Sequence, residues 1–195
     1  MDYGVGNLLS LKCAMEKVGL KPTIESSPLR LKDADSIVLP GVGNFSAASK
    51  ELTHFREAIL DEARTGKPIL GICLGMQLLL PESEEGEGSG LALLEGNNKR
   101  LPENVKVPHM GWNTLHIFRE NEFLSGLPDK SYVYFVHSFY PAPVDEDVIC
   151  AKTTYGIEFA SVIAKQNIYG TQFHPEKSAE CGIEILRNFA KIVKT

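Results

Sequence analysis

The segment Pro68-Ile-Leu-Gly-Ile-Cys-Leu-Gly-Met-Gln77 constrains this chain more than any other. An apolar run long enough for a buried strand meets a glycine on either side of Cys73, and a helical run follows until Pro81 stops it. Gly71-Ile72-Cys73-Leu74-Gly75 is the thiol counterpart of a G-x-S-x-G elbow, in which a strand ends, one residue sits on a sharp turn and a helix begins. The glycines are required because such a turn leaves no room for Cβ atoms beside the neighbouring strand and helix. The helix start favours negative charge and directs backbone N–H groups at an oxyanion on the substrate. Cys73 therefore reads as a nucleophile; the alternative is a buried structural cysteine in a tight strand–helix turn.

The elbow belongs to an alternating pattern. Leu8, Leu11, Met15 and Val18 recur at helical spacing ahead of Gly19, so Asn7 to Val18 reads as an amphipathic helix. Ser36 to Leu39 reads as a short buried strand. One long or two short helices follow between Phe45 and Thr65, then the strand Pro68–Ile72 and a helix over Leu74–Leu80. This order implies right-handed parallel crossovers. Glu82 to Gly90, rich in glutamate and glycine, reads as a solvated loop. Beyond it come β-rich runs at Val105–Ile117, Tyr132–Phe139, Val148–Thr154, Phe159–Ala164 and Ile168–Phe173, and a last helix over about Ser178–Val193. The predicted fold is a single-domain α/β doubly wound sheet, mainly parallel in its first half and β-rich in its second.

Composition narrows the functions open to such a fold. Twenty basic residues against 25 acidic ones, with no basic block, speak against non-specific nucleic-acid binding and against an anionic membrane surface. The four cysteines, Cys13, Cys73, Cys150 and Cys181, form no C-x-x-C pair and no zinc-ligand spacing, so no metal site is expected and free thiols are the simplest reading. With no signal-peptide pattern at Met1-Asp2-Tyr3-Gly4, the expected compartment is the cytoplasm.

Two further segments supply partners for Cys73. In Tyr169-Gly-Thr-Gln-Phe-His-Pro-Glu-Lys-Ser178, His174 follows a predicted strand, where α/β folds place their ligand crevice, and Glu176 stands two residues on. Cys73, His174 and Glu176 would act as nucleophile, base and orienter. Taken alone, the same residues read as a strand end followed by an acidic first helical turn. Pro40-Gly-Val-Gly43 follows a strand, and its two glycines let the Val42 peptide turn its N–H toward the site opposite the Leu74 amide. One such oxyanion donor is worth about 3 to 4 kcal/mol of barrier. As a bare string this segment is a turn.

Together these three pieces resemble the class I glutamine amidotransferases, whose glutaminase module carries a P-G-x-G oxyanion strand, a G-x-C-x-G elbow and a late H-x-E. Four segments narrow the resemblance: Asp2-Tyr-Gly-Val-Gly-Asn7, Val107-Pro-His-Met-Gly-Trp-Asn113, Tyr134-Phe-Val-His-Ser-Phe139 and His174-Pro-Glu-Lys-Ser178. They are similar to the glutaminase subunits of imidazole glycerol phosphate synthase, in histidine biosynthesis, from Asp2 almost to the C-terminus. The resemblance implies a glutamine amidotransferase type-1 domain over residues 1–195 that hydrolyses glutamine to glutamate and ammonia without a cofactor. It also implies a heterodimer with a (β/α)8-barrel cyclase subunit, to which the ammonia passes. By motif it assigns Gly43, Gln77 and Glu85 to glutamine, and Asn7, Trp112, Tyr134, His137 and Lys177 to the partner interface.

Chains of this family carry a short apolar strand before the Asp-Tyr-Gly segment, whereas here Met1 directly precedes Asp2. The first strand is therefore expected to be missing or shortened, through a truncated or reassigned start or by engineering. Two other readings stay open: a glutaminase serving another acceptor synthase, and a stand-alone cysteine hydrolase or binding scaffold on the same fold.

Overall fold

The computed structural model describes residues 8–194. Both the expectation of a missing first strand and the interface assignment of Asn7 fall on residues outside that range. The chain runs through α1 (Leu8–Lys17), β1 (Ile37–Leu39), α2 (Phe45–Leu52), α3 (Arg56–Arg64), β2 (Ile69–Ile72) and α4 (Leu74–Gln77). It continues through β3 (Glu82–Ser83), β4 (Gly96–Arg100), β5 (His109–Thr114), β6 (His116–Ile117), β7 (Tyr132–His137) and β8 (Phe139–Pro143). The last elements are β9 (Ile149–Tyr155), β10 (Ile157–Lys165), β11 (Ile168–Thr171) and α5 (Ala179–Val193).

A six-stranded sheet in the order β1-β2-β11-β10-β9-β6 forms the centre. β1, β2 and β11 are parallel and the remaining pairings antiparallel, as the alternation in the first half and the hairpin-like second half require. Side chains alternate across this sheet. Ile37, Leu39 and Ile69 pack with Phe45, Leu52 and Ile59 of α2 and α3 on one face. Leu70 and Ile72 pack with Leu11 and Met15 of α1 and Leu186 and Phe189 of α5 on the other. Two smaller sheets, β3-β4-β8 and β5-β7, flank the end of the central sheet where β2 stops.

Three sequence readings change. The Glu82–Gly90 stretch is not simply solvated: β3 pairs in parallel with β4, and the backbone N–H of Arg100 donates to Glu84 Oε2 at 2.8 Å. β4 itself, Gly-Asn-Asn-Lys-Arg, was invisible to hydrophobic periodicity because it carries no apolar side chain. It is held by its pairing with β8 and by buried Asn98, whose amide donates to the carbonyls of Gln77 and Glu82 at 2.9 and 2.8 Å. The helix after Cys73 ends at Gln77, and Leu78–Leu80 continue as buried turn.

The elbow glycines are dictated by close approach. A Cβ on Gly75 would lie 1.8 Å from the Leu39 carbonyl oxygen, and one on Gly71 would lie 2.6 Å from the Gly75 carbonyl oxygen. Gly75→Ala is expected to destabilise the fold by about 3 kcal/mol, the upper range for overpacking a rigid backbone contact. Gly66→Ala, at a positive φ but in open space, is expected to cost only about 1 kcal/mol. Urea unfolding of the two variants beside the wild type measures the contrast.

Candidate active site

Cys73 is the hinge between β2 and α4, with φ 54° and ψ −109°. A β-carbon residue in this region stores about 1 to 3 kcal/mol of backbone strain, a cost that concentrates at functional positions. The surrounding ladder sustains it: the Cys73 N–H donates to the Thr171 carbonyl at 2.7 Å, extending the β2–β11 pairing to the turn itself.

His174 lies three residues past the end of β11 and is fixed by its backbone. Its N–H donates to the Tyr134 carbonyl at 3.0 Å, and its own carbonyl accepts from the Ser178 hydroxyl at 2.7 Å. The same hydroxyl accepts from the Tyr134 N–H at 2.9 Å, so Ser178 clips β7 to the histidine. The imidazole Nδ1 is 2.9 Å from Glu176 Oε1, with both side chains almost fully buried. That contact leaves Nε2 as the free ring nitrogen, buried and with no hydrogen-bond partner. Burial alone would lower the His174 pKa, but the neighbouring Cys73 sulfur and the hydrogen-bonded Glu176 carboxylate favour the charged ring, outweigh burial and raise the pKa to about 9. The three residues thus form a buried sulfur–imidazole–carboxylate line in which the charged imidazolium is favoured.

A pocket of about 220 Å³ opens on the sulfur, lined by Val42, Gly43, Cys73, Leu74, Gln77, Glu85, Pro108 and the Val136–Phe139 segment. Every residue singled out for the oxyanion and for glutamine therefore faces one cavity. Gly41 presses the loop onto the elbow, since a Cβ there would meet the Leu74 Cβ at 2.7 Å; Gly43 adopts φ +121°. Glu85 arrives from the acidic loop and accepts from the Phe45 N–H at the start of α2, at 2.6 Å. Gln77 commits its amide nitrogen to the Phe139 carbonyl at 2.8 Å and to Gln172 Oε1 at 3.1 Å, leaving its own oxygen as the polar atom available to a ligand. A larger groove, about 700 Å³, runs between α1 and β1 and carries none of these reactive groups.

The residues assigned to a partner surface separate. Trp112 is 53 % exposed and meets Tyr134 edge to face at 5.9 Å, and the Lys177 ammonium lies over the Tyr134 ring. His137 does not join this face. In β7, residues of one parity look outward with Tyr134 and those of the other look inward with Val133 and Phe135, so His137 is buried and lines the pocket instead. Its Nδ1–H donates to the Phe139 carbonyl at 2.9 Å and its Nε2 is 3.1 Å from His109 Nδ1. Burial pushes the His137 pKa down to about 3; the Phe139 carbonyl opposes this, and repulsion from His109 and His174 adds to it.

Gln172, Ser178 and, in the pocket wall, Val136, Ser138 and Phe139 were not singled out as site residues by the sequence. Gln172 had a signal, since it stands in the same short run as His174 and Glu176, but nothing in the sequence aims its side chain at the sulfur. Among the described residues no cluster of His, Cys, Asp or Glu could hold a metal ion, and no helix is long and apolar enough to cross a membrane.

A strained thiol elbow, a buried His–Glu pair and a P-G-x-G loop thus stand around or beside one small pocket of an α/β fold. The model of the glutamine amidotransferase class-I family matches residues 1–193, and the chain belongs to that family of enzymes. Within it, the chain is similar over its whole length to the imidazole glycerol phosphate synthase subunits HisH. Identity is 49 % to that of Methanothermobacter thermautotrophicus (100 % of this chain, 98 % of the relative) and 50 % to that of Archaeoglobus fulgidus (100 % and 98 %). Among solved structures, a putative GMP synthase component from Thermoplasma acidophilum superimposes with a TM-score of 0.78 at 23 % identity, covering 100 % of this chain and 92 % of that one. PurLQS from Thermotoga maritima gives 0.76 at 19 %, covering 98 % and 96 %. These structural likenesses establish the α/β fold.

The His174–Glu176 pair has a pH signature. A pKa raised above the ordinary 6.5 means the folded state holds the proton more tightly, so this stabilisation is complete below about pH 6.5 and is lost as the pH rises through about 9. Unfolding free energies of wild type and Glu176→Gln, measured between pH 6 and 10, are expected to differ most at pH 6 and to converge toward pH 10.

Proposed function

We propose that this chain is the glutaminase subunit of an imidazole glycerol phosphate synthase and acts in histidine biosynthesis, with residues 1–195 forming one glutamine amidotransferase type-1 domain. Full-length similarity to HisH subunits together with the buried Cys73–His174–Glu176 line carries this reading. The Cys73 thiolate attacks the side-chain amide carbon of glutamine, forming a tetrahedral oxyanion held by the Leu74 and Val42 amides. The His174 imidazolium gives its proton to the leaving nitrogen, ammonia departs and a γ-glutamyl thioester remains. Neutral His174 then takes a proton from water; the hydroxide adds to the thioester, and glutamate leaves as the Cys73 thiolate is restored beside the imidazolium. Glu176 keeps the ring oriented throughout. Gly43, Gln77 and Glu85 hold the substrate, and the chemistry needs no cofactor.

The ammonia goes to a cyclase partner built as a (β/α)8 barrel, in a cytoplasmic heterodimer. Trp112, Tyr134 and Lys177 suit the docking face: an exposed tryptophan on β5 and the exposed lysine in the turn after His174 flank the half-buried Tyr134 of β7. Asn7 belongs to the same proposed surface, while His137 acts behind it as pocket wall.

Alone, the chain is expected to turn over glutamine slowly, and the cyclase with its bound nucleotide to accelerate it. Cys73→Ala should abolish glutamine-dependent synthesis while the complex still uses added ammonium; glutamine use that survives the substitution overturns the nucleophile assignment. Trp112→Ala should weaken cyclase binding by about 2 kcal/mol, a typical hot-spot loss, as measured by calorimetry.

A further inference from the structure

We propose that Gln172 is a positioning residue for the Cys73 sulfur, holding it in line with His174 through a side-chain N–H whose direction is fixed by Gln77 and the Phe139 carbonyl. The inference rests on the reading of Cys73 as the nucleophile and adds to it a residue outside the triad.

The two ends of a glutamine amide are ordinarily told apart only by their partners. Here the partners decide. The Phe139 carbonyl can only accept, so the Gln77 group 2.8 Å from it is the amide nitrogen. That nitrogen also donates to Gln172 at 3.1 Å, which makes the recipient Oε1. Gln172 Nε2 is thereby turned to Cys73 Sγ, at 3.6 Å. Gln172 is fully buried, and its backbone N–H is bound to the Ser161 carbonyl at 2.9 Å, so the donor is carried on the central sheet. His137 adds a second donor to the same Phe139 carbonyl and keeps that anchor in place.

The sulfur has one further polar neighbour with the opposite preference. The Val136 carbonyl is 3.7 Å away and can be satisfied only by the protonated thiol, since a carbonyl oxygen repels a thiolate. The Gln172 N–H bond does the reverse and strengthens as the sulfur becomes negative. The two contacts bias the heading of Sγ: toward Val136 as a thiol, toward Gln172 as a thiolate paired with His174. Removing the Gln172 donor leaves the Val136 contact unopposed and favours the less reactive form.

Gln172→Met removes the donor at constant shape. Gln172→Glu keeps an oxygen for Gln77 and places an acceptor against the sulfur. The rate of iodoacetamide alkylation at Cys73, followed at the Cys73 peptide by mass spectrometry from pH 5 to 10, is expected to fall about tenfold near pH 6.5 in Gln172→Met and further in Gln172→Glu. The loss of one hydrogen bond to a charged group sets this scale, and both curves should move to higher pH. Thermal unfolding identifies variants that fold as the wild type does. A direct reading needs no substitution: the side-chain amide resonance of Gln172 in wild type should shift when the pH is taken through the alkylation transition. Superimposed alkylation curves in folded variants, or an amide resonance indifferent to that transition, overturn the proposal. Failure of the underlying reading shows separately, as glutamine turnover that survives Cys73→Ala.

Discussion

The site depends on one backbone contact, the seating of Gly75 against the carbonyl of Leu39. With no side chain at position 75, the first turn of α4 rests directly on the end of β1. That contact brings the loop after β1 to the elbow, where Gly41 touches Leu74, and so sets Val42 and Gly43 beside Cys73. It also supports the positive φ of Cys73, because the turn is gripped by β1 from one side and by the Thr171 carbonyl from the other. The strain at Cys73 is thus offset by packing that has no freedom to relax.

Partners, not burial alone, set the two buried imidazoles of this region apart. His174 and His137 are both buried near the sulfur, yet one pKa is raised to about 9 and the other lowered to about 3. Desolvation acts in the same direction on both. His174 has the Glu176 carboxylate and the sulfur to hold its proton; His137 has a neutral carbonyl and two other imidazoles. One imidazole is therefore favoured in its charged form, and its neighbour stays neutral as part of the wall.

Much of this was legible in the residues. Gly71, Gly75 and Pro81 around an apolar run announce a strand, a turn and a short helix, and the elbow stands where they put it. The His174-x-Glu176 spacing likewise matches the contact between the two side chains. What could not be read depends on pairing across the chain. β4 has no apolar alternation, because its stability comes from β8 and from the Asn98 amide. The acidic loop looked fully solvated by composition, yet Glu84 and Glu85 accept from backbone N–H groups of β4 and α2. That His137 is buried while Tyr134 is not could not be read from the motif, which quotes residues in order, while a strand turns alternate ones away from each other.

The pocket walls come from distant parts of the chain: the loop after β1, the β2–α4 elbow, the acidic loop, and the junction of β7 and β8, with His174 arriving from beyond β11. No single hairpin or βα unit contains enough of them to bind a ligand. Assembly must close several long loops before the cavity exists, an entropic burden that slows folding compared with a locally connected fold. Turnover is consequently a stringent reporter of the whole fold: a kinetic folding intermediate with native-like β1–β2 pairing but unformed β7–β8 would be inert. Recovery of activity after dilution from denaturant would then trace the last step of folding rather than the first.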